Sequence, residues 1–155
     1  MMALSDLLPD NGVNADLAVS SRKQALQAMS EIAANYAPAS ARDILERVLE
    51  RERLGSTGVG GGVAIPHARI EGADKVFGVF ARLRSPVDFD SIDARPVDLI
   101  FMLLAPEHSS AEHLKALARV SRLLRRDDLR ERLRSAPDHD AMMALLGGEL
   151  DTDAA

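Results

Sequence analysis

The sequence predicts a layered α/β domain in which helices cover a β-sheet. Stretches with helical periodicity alternate with short apolar runs along the chain. One of those runs, Val97-Asp98-Leu99-Ile100-Phe101-Met102-Leu103-Leu104, is apolar almost throughout, as a strand buried on both faces must be. With 155 residues, 46% of them hydrophobic, the chain can bury one real core but is too short for two ordinary domains.

Ser21 followed by Gln24 has the pattern of a capping box, and Leu26, Met29, Ile32, Ala33 and Tyr36 then recur at helical spacing. They predict a first amphipathic helix of about four turns. Pro38 punctuates the chain, after which Ser40 can cap a second helix with Ile44, Leu45, Val48 and Leu49 as its buried stripe and Arg51 and Glu52 at its end. From Gly55 to Gly62 five of eight residues are glycine, which excludes a regular helix and predicts a flexible loop leading into a short strand, Val63-Ala64-Ile65-Pro66-His67. Val76 to Leu83 is a further β-type run, and Val97 to Leu104 is the expected central strand, ended by Pro106. Ser109 with Glu112 forms another capping-box pattern ahead of Leu114, Leu117, Ala118 and Leu124, which places His113 in that helix's first turn. A last helix is expected from near Asp138 to Gly147-Gly148, leaving a mobile acidic tail from Glu149 to Ala155. Periodicity leaves the strand order open.

Composition excludes several classes of function. There are no cysteines, so neither a disulfide framework nor a thiolate metal site can be built. A net charge of -5 argues against binding a nucleic-acid backbone, which needs a clustered basic face. The densest basic run, Arg119 to Arg134, is interrupted by Asp127, Asp128 and Glu131 and reads as the solvated face of helices. The N-terminus lacks a basic region followed by a long apolar run, and no later stretch is apolar enough to span a bilayer. The expected location is the cytoplasm.

The glycine cluster does not make a nucleotide site. After Gly55 and Gly60 a P-loop needs Lys and then Ser or Thr, where Gly61 and Gly62 stand; a dinucleotide fingerprint on Gly58 and Gly60 needs glycine at Val63. The histidines, His67, His108, His113 and His139, form neither a helical i, i+4 pair nor an HExxH pattern, and Ser56 lacks the spacing of a nucleophile elbow. His108 and His139 read as solvent-facing loop residues. His67 differs: it follows a rigid proline at the end of an apolar run, behind glycines that let another backbone approach closely. An imidazole held there by one nitrogen can attack with the other. Read from the residues alone, His67 could equally end a strand, His113 could be a helix-surface residue, and Arg51 could offset a helix dipole while paired with Glu52.

The segment Arg51-Glu52-Arg53-Leu54-Gly55-Ser56-Thr57-Gly58-Val59-Gly60-Gly61-Gly62-Val63-Ala64-Ile65-Pro66-His67 resembles the active-site signature of phosphotransferase-system enzyme IIA domains of the fructose/mannitol class, most nearly their nitrogen-related branch. A second block, Pro96-Val97-Asp98-Leu99, Leu103-Leu104-Ala105-Pro106, His113-Leu114 and Leu117-Ala118, resembles the same family in order and spacing. The resemblance extends more loosely through the helical N-terminal third and Asp88-Phe89-Asp90. Gly61, where the family usually has a polar residue such as asparagine, and Ala68, where it commonly has glycine, depart from the pattern.

The resemblance implies a single domain over residues 1–148, a mixed β-sheet covered by helices, with 149–155 as a flexible tail. It implies that His67 is the phosphorylated histidine, and that His113 and Arg51 match the family's second active-site histidine and its arginine. The implied donor is an HPr-like phosphocarrier, and regulatory proteins that sense the phosphorylation of His67 are the implied targets. A phosphohistidine donor needs neither nucleotide nor magnesium, so no cofactor is expected. Two alternatives fit the same residues: a IIA component of a fructose/mannitol-type sugar transporter, and a non-catalytic protein-binding module on the same fold.

Overall fold

A computed structural model of the chain describes residues 4–108 and 110–149. After a short 3-10 turn, Leu4–Leu7, come β1 (Val13–Leu17), α1 (Arg22–Ala34) and α2 (Ala41–Leu54). Four strands follow, β2 (Gly58–Gly60), β3 (Val63–Ala64), β4 (His67–Ile70) and β5 (Phe77–Val87), and then β6 (Val97–Pro106). The described residues close with α3 (Ser110–Leu124), α4 (Asp127–Ser135), α5 (His139–Ala144) and a wide helical turn over Leu145–Glu149.

The strands form one six-stranded mixed sheet in the order β1-β5-β6-β3-β2, with β4 also paired to β6. β6 is central, antiparallel to β5 and parallel to both β3 and β4. Its alternating side chains build two cores: Leu99, Phe101 and Leu103 pack beneath α3, α4 and α5, while Ile100, Met102 and Leu104 pack beneath α1 and α2. Burial on both faces accounts for the unbroken apolar run.

The caps follow the sequence closely. Ser21 Oγ accepts from the Gln24 amide at 3.1 Å, although the Gln24 side chain reaches back to Ser20, one residue earlier than a capping box requires. Ser40 Oγ accepts from the Asp43 amide, and the Asp138 carboxylate from the Ala141 amide. The expected cap Ser109 lies outside the described residues, as does the acidic tail from residue 150 onward.

Elsewhere the structure corrects the expectation. The helix begun at Ser110 does not bury Leu114 or Ala118; its inward face is His113, Ala116, Val120, Leu123 and Leu124, rotated to meet the sheet. Tyr36 lies beyond the end of α1 and is partly exposed. His139 opens α5 and does not lie in a loop. The strand β1, with only Val13 and Leu17 buried, carried no alternating pattern to announce it; it pairs in parallel with β5. The basic run does fold as helices, α3 and α4, broken at Arg125 and Arg126, with only Leu129 and Leu133 of α4 turned inward.

Arg82 of β5 ties the sheet to the end of α4. It donates to the carbonyls of Ala15 at 2.9 Å, Leu133 at 2.9 Å and Ala136 at 2.7 Å. The last carbonyls of a helix have no partner within it, and a guanidinium satisfies several at once. Arg82→Ala is expected to lower unfolding stability by about 2–3 kcal/mol, measured by urea denaturation, because it strands those acceptors.

Candidate active site

The site is assembled around a break in strand pairing. Val63 and Ala64 of β3 pair with Leu99 and Ile100, and β4 resumes the pairing at His67 opposite Leu103. Between them stands Pro66, which has no amide hydrogen to give to a ladder. The Pro66 carbonyl still accepts from the Leu103 amide, and the Ile65 amide turns the other way, to the Thr57 carbonyl. The expected single strand ending at His67 is therefore two strands in line, with His67 opening the second.

The Ile65 carbonyl fixes the imidazole. His67 Nδ1 lies 2.8 Å from the Ile65 carbonyl, which can only accept, so Nδ1 carries the hydrogen. Nε2 keeps the lone pair, and Arg51 Nε donates to it at 3.2 Å. Arg51 also donates to the Gly55 carbonyl at 2.9 Å, which holds the guanidinium across the end of α2. β4 pairs only with β6 among the described residues, so groups from both helical layers can reach His67: Arg51 from α2 and His113 from α3.

The two imidazole centroids are 5.7 Å apart and meet edge to face at 73°. The structure thus brings together His67, His113 and Arg51, the three residues singled out from the sequence. His108 is exposed, and His139 lies on α5 beside Asp140. His113 is buried, and its Nε2 has no hydrogen-bond partner among the described residues. Burial pushes the pKa of His67 below the ordinary imidazole value; the Ile65 hydrogen bond and the charge of Glu52 act against that, and Arg51 adds to it. Burial also lowers His113, helped by His67 and by Arg69. Neutral imidazole is the form with a lone pair to use.

The glycine segment, expected as a flexible loop, is a pinned hairpin. β2 and β3 pair antiparallel around Gly60, Gly61 and Gly62, whose φ angles of 98°, 67° and 79° favour glycine. The Gly61 amide donates to Asp93 at 2.9 Å, and Arg134, paired with Asp98, donates to the Gly61 carbonyl at 2.6 Å. At Gly61, where the family usually has a polar side chain, a Cβ would sit 3.0 Å from the Arg130 guanidinium carbon, so Arg130 fills that space.

Sequence reasoning missed Glu52. Expected to pair with Arg51, it points inward: its carboxylate accepts from the Thr57 hydroxyl and amide and lies 3.7 Å from Arg22. Arg22 donates to the Phe89 carbonyl, which also accepts from Ser56. The signal was present, since Ile44, Val48 and Glu52 fall on one helical stripe and all three are buried. Among the described residues, no group of three or more His, Asp or Glu is placed to hold a metal ion.

A mixed α/β sheet with an edge-strand histidine, a second histidine and an arginine around it defines the architecture, and comparison with known proteins identifies it. Residues 6–148 match the family described as phosphoenolpyruvate-dependent sugar phosphotransferase system, EIIA 2, and the chain belongs to that family. Within it, the chain is similar to nitrogen regulatory proteins. One from Bradyrhizobium diazoefficiens is 48% identical over 94% of this chain and 95% of its own. Another, from Pseudomonas aeruginosa, is 39% identical over 94% and 96%. The crystal structure of nitrogen regulatory protein IIA-Ntr from Neisseria meningitidis superposes with a TM-score of 0.87 at 36% identity, covering 92% of this chain and 98% of that one.

Both histidines have folded-state pKa values below the unfolded value near 6.5. The unfolded chain takes up protons there that the folded chain refuses, so their contribution to stability is complete above 6.5 and is lost as pH falls through the folded values. The urea midpoint should drop between about pH 7.5 and about pH 5.5, and the drop should be smaller in the His67→Gln, His113→Gln double variant.

Proposed function

We propose that this chain is a regulatory phosphocarrier of the nitrogen-related phosphotransferase system, in which His67 accepts a phosphoryl group and its phosphorylation state controls partner proteins. The observation that carries this reading is the fixed tautomer: Nδ1–H is held by Ile65, and Nε2 presents its lone pair beside Arg51. The chain acts in the cytoplasm, with residues 1–148 as the phosphocarrier domain; among the described residues no helix is long and apolar enough to cross a membrane.

The donor is an HPr-like carrier whose phosphorylated ring is protonated on its other nitrogen. Its N–P bond breaks as the bond to His67 Nε2 forms, and the donor ring leaves as a neutral imidazole. His67 becomes a phosphoimidazolium, keeping its Nδ1 proton, and the Ile65 carbonyl faces the new positive charge. Arg51, which donates to Nε2 in the resting site, must redirect that hydrogen bond to the phosphoryl oxygens as they arrive, keeping its proton. His113 supplies its unpartnered nitrogen from the first turn of α3, where the helix dipole also favours an anion.

Large exposed apolar side chains supply a docking rim. Leu54 follows Arg51 at the end of α2, Leu114 adjoins His113, Val59 lies on the hairpin and Ile92 packs beside Gly60. Exposed apolar side chains of this size suit contact with a protein partner. Similarity over nearly full length to proteins named nitrogen regulatory protein supports a regulatory output over sugar transport.

Incubation with phosphoenolpyruvate, enzyme I and an HPr-like carrier should add a single acid-labile phosphoryl group, read by intact mass. His67→Ala should take none, and His113→Ala should accept and pass on the group on the order of 100-fold more slowly. Failure of wild type with several matched carriers would favour the binding-module reading, and efficient onward transfer to a IIB protein would favour the transporter reading.

A further inference from the structure

We infer that Glu52 is a positioning residue for phosphoryl transfer: its buried carboxylate clasps Thr57, and so fixes the loop whose Gly55 carbonyl aims Arg51 at His67 Nε2. The inference rests on the phosphocarrier reading. A carboxylate almost wholly withdrawn from water is costly unless it is paired and hydrogen-bonded, and one placed solely for stability could be replaced by an apolar side chain.

The contacts run in a closed circuit. Glu52 takes both the hydroxyl and the amide of Thr57, five residues on, so the chain between them must turn back on α2. Within that turn the Gly55 carbonyl faces Arg51, one residue before Glu52, and fixes one arm of its guanidinium. The other side of the guanidinium meets His67. Thr57 continues the line, because its carbonyl accepts from Ile65, whose own carbonyl holds His67 Nδ1. One carboxylate therefore anchors both hydrogen bonds that orient the nucleophile. Arg22 closes the far side at 3.7 Å and reaches the Phe89 carbonyl, to which Ser56 of the same turn also donates.

The charge of Glu52 has a second effect. The groups facing His67 are Arg51 and Glu52 from α2 and His113 from α3, with Arg69 further along its own strand and coupled to His113. Among them Glu52 is the anion. It opposes the other groups by favouring the positively charged ring, the state the imidazole enters when Nε2 takes a phosphoryl group.

The test compares wild type with Glu52→Gln, which keeps the shape and can still bond Thr57 but loses the charge, and with Thr57→Val, which removes the clasped hydroxyl. Donor is the phosphorylated HPr-like carrier, varied to saturation, and the His67 ring is titrated by 15N NMR without donor. In both variants the rate at saturating donor should fall on the order of tenfold or more, with the donor KM within about twofold, because the docking rim is untouched. In Glu52→Gln the His67 titration should also move to lower pH, since the anion that favours the charged ring is gone. A folded Glu52→Gln protein that titrates at His67 as wild type does, or transfers at the wild-type saturating rate, overturns the inference; so does a wild-type saturating rate in folded Thr57→Val. Should the wild-type chain take no phosphoryl group, the phosphocarrier reading falls, while the NMR titration still decides the electrostatic link between Glu52 and His67.

Discussion

The fold depends on β6. Strands β5, β3 and β4 all pair with it, and the alternation of Leu99, Phe101 and Leu103 with Ile100, Met102 and Leu104 supplies the floor of both cores. A strand buried on both faces with partners along both edges has no exposed polar backbone to satisfy, and its register fixes which side chains enter each layer. The site inherits that register: His67 is opposite Leu103 because β4 is seated on β6, and α3, which follows β6 in the chain, brings His113 to the same edge.

Against that regular frame, the site forms where β3 passes to β4 and the chain leaves one carbonyl facing the open edge. Residues 63–64 and 67–70 keep one register against β6, and alternate residues face it: the Gly62 and Pro66 carbonyls accept from the Leu99 and Leu103 amides. Ile65, between them, turns to the opposite edge, where its amide donates to the Thr57 carbonyl and its carbonyl is available to an imidazole two residues on; Pro66 only withholds one donor from the ladder. The choice of tautomer at His67, and with it which nitrogen is nucleophilic, follows from a backbone hydrogen bond and needs no acidic partner.

The electrostatics of the site set burial against charge. Burial lowers both imidazole pKa values and so favours the neutral ring, the form that keeps a lone pair. The Glu52 carboxylate is held instead by three other donors, the Thr57 amide and hydroxyl and the Arg22 guanidinium. Had Glu52 paired with Arg51, as their adjacency in the sequence suggests, the guanidinium would be neutralised and turned from His67. Helical geometry prevents it: residues one apart on a helix point about 100° apart, and Glu52 continues the inward stripe of Ile44 and Val48.

The sequence by itself determined the α/β class, the caps at Ser21, Ser40 and Asp138 and the doubly buried central strand, and its resemblance to enzyme IIA domains singled out His67, His113 and Arg51, which the folded chain brings together. The class, the caps and the central strand were legible because each is carried by local spacing; the three residues were legible only through two separate blocks that resemble one family. Tertiary structure alone decided the rest. β1 has too little apolar pattern to be seen and exists because β5 offers it an edge; the inward face of α3 was set by the sheet it meets, turning Leu114 outward and His113 inward. The glycine segment became a hairpin because Asp93 and Arg134, from distant parts of the chain, satisfy its backbone. Glu52 acquired its partners in the same way. Local sequence specifies the conformations a segment prefers, but which buried polar groups find partners depends on residues tens of positions away, and only the folded chain brings them within hydrogen-bonding distance.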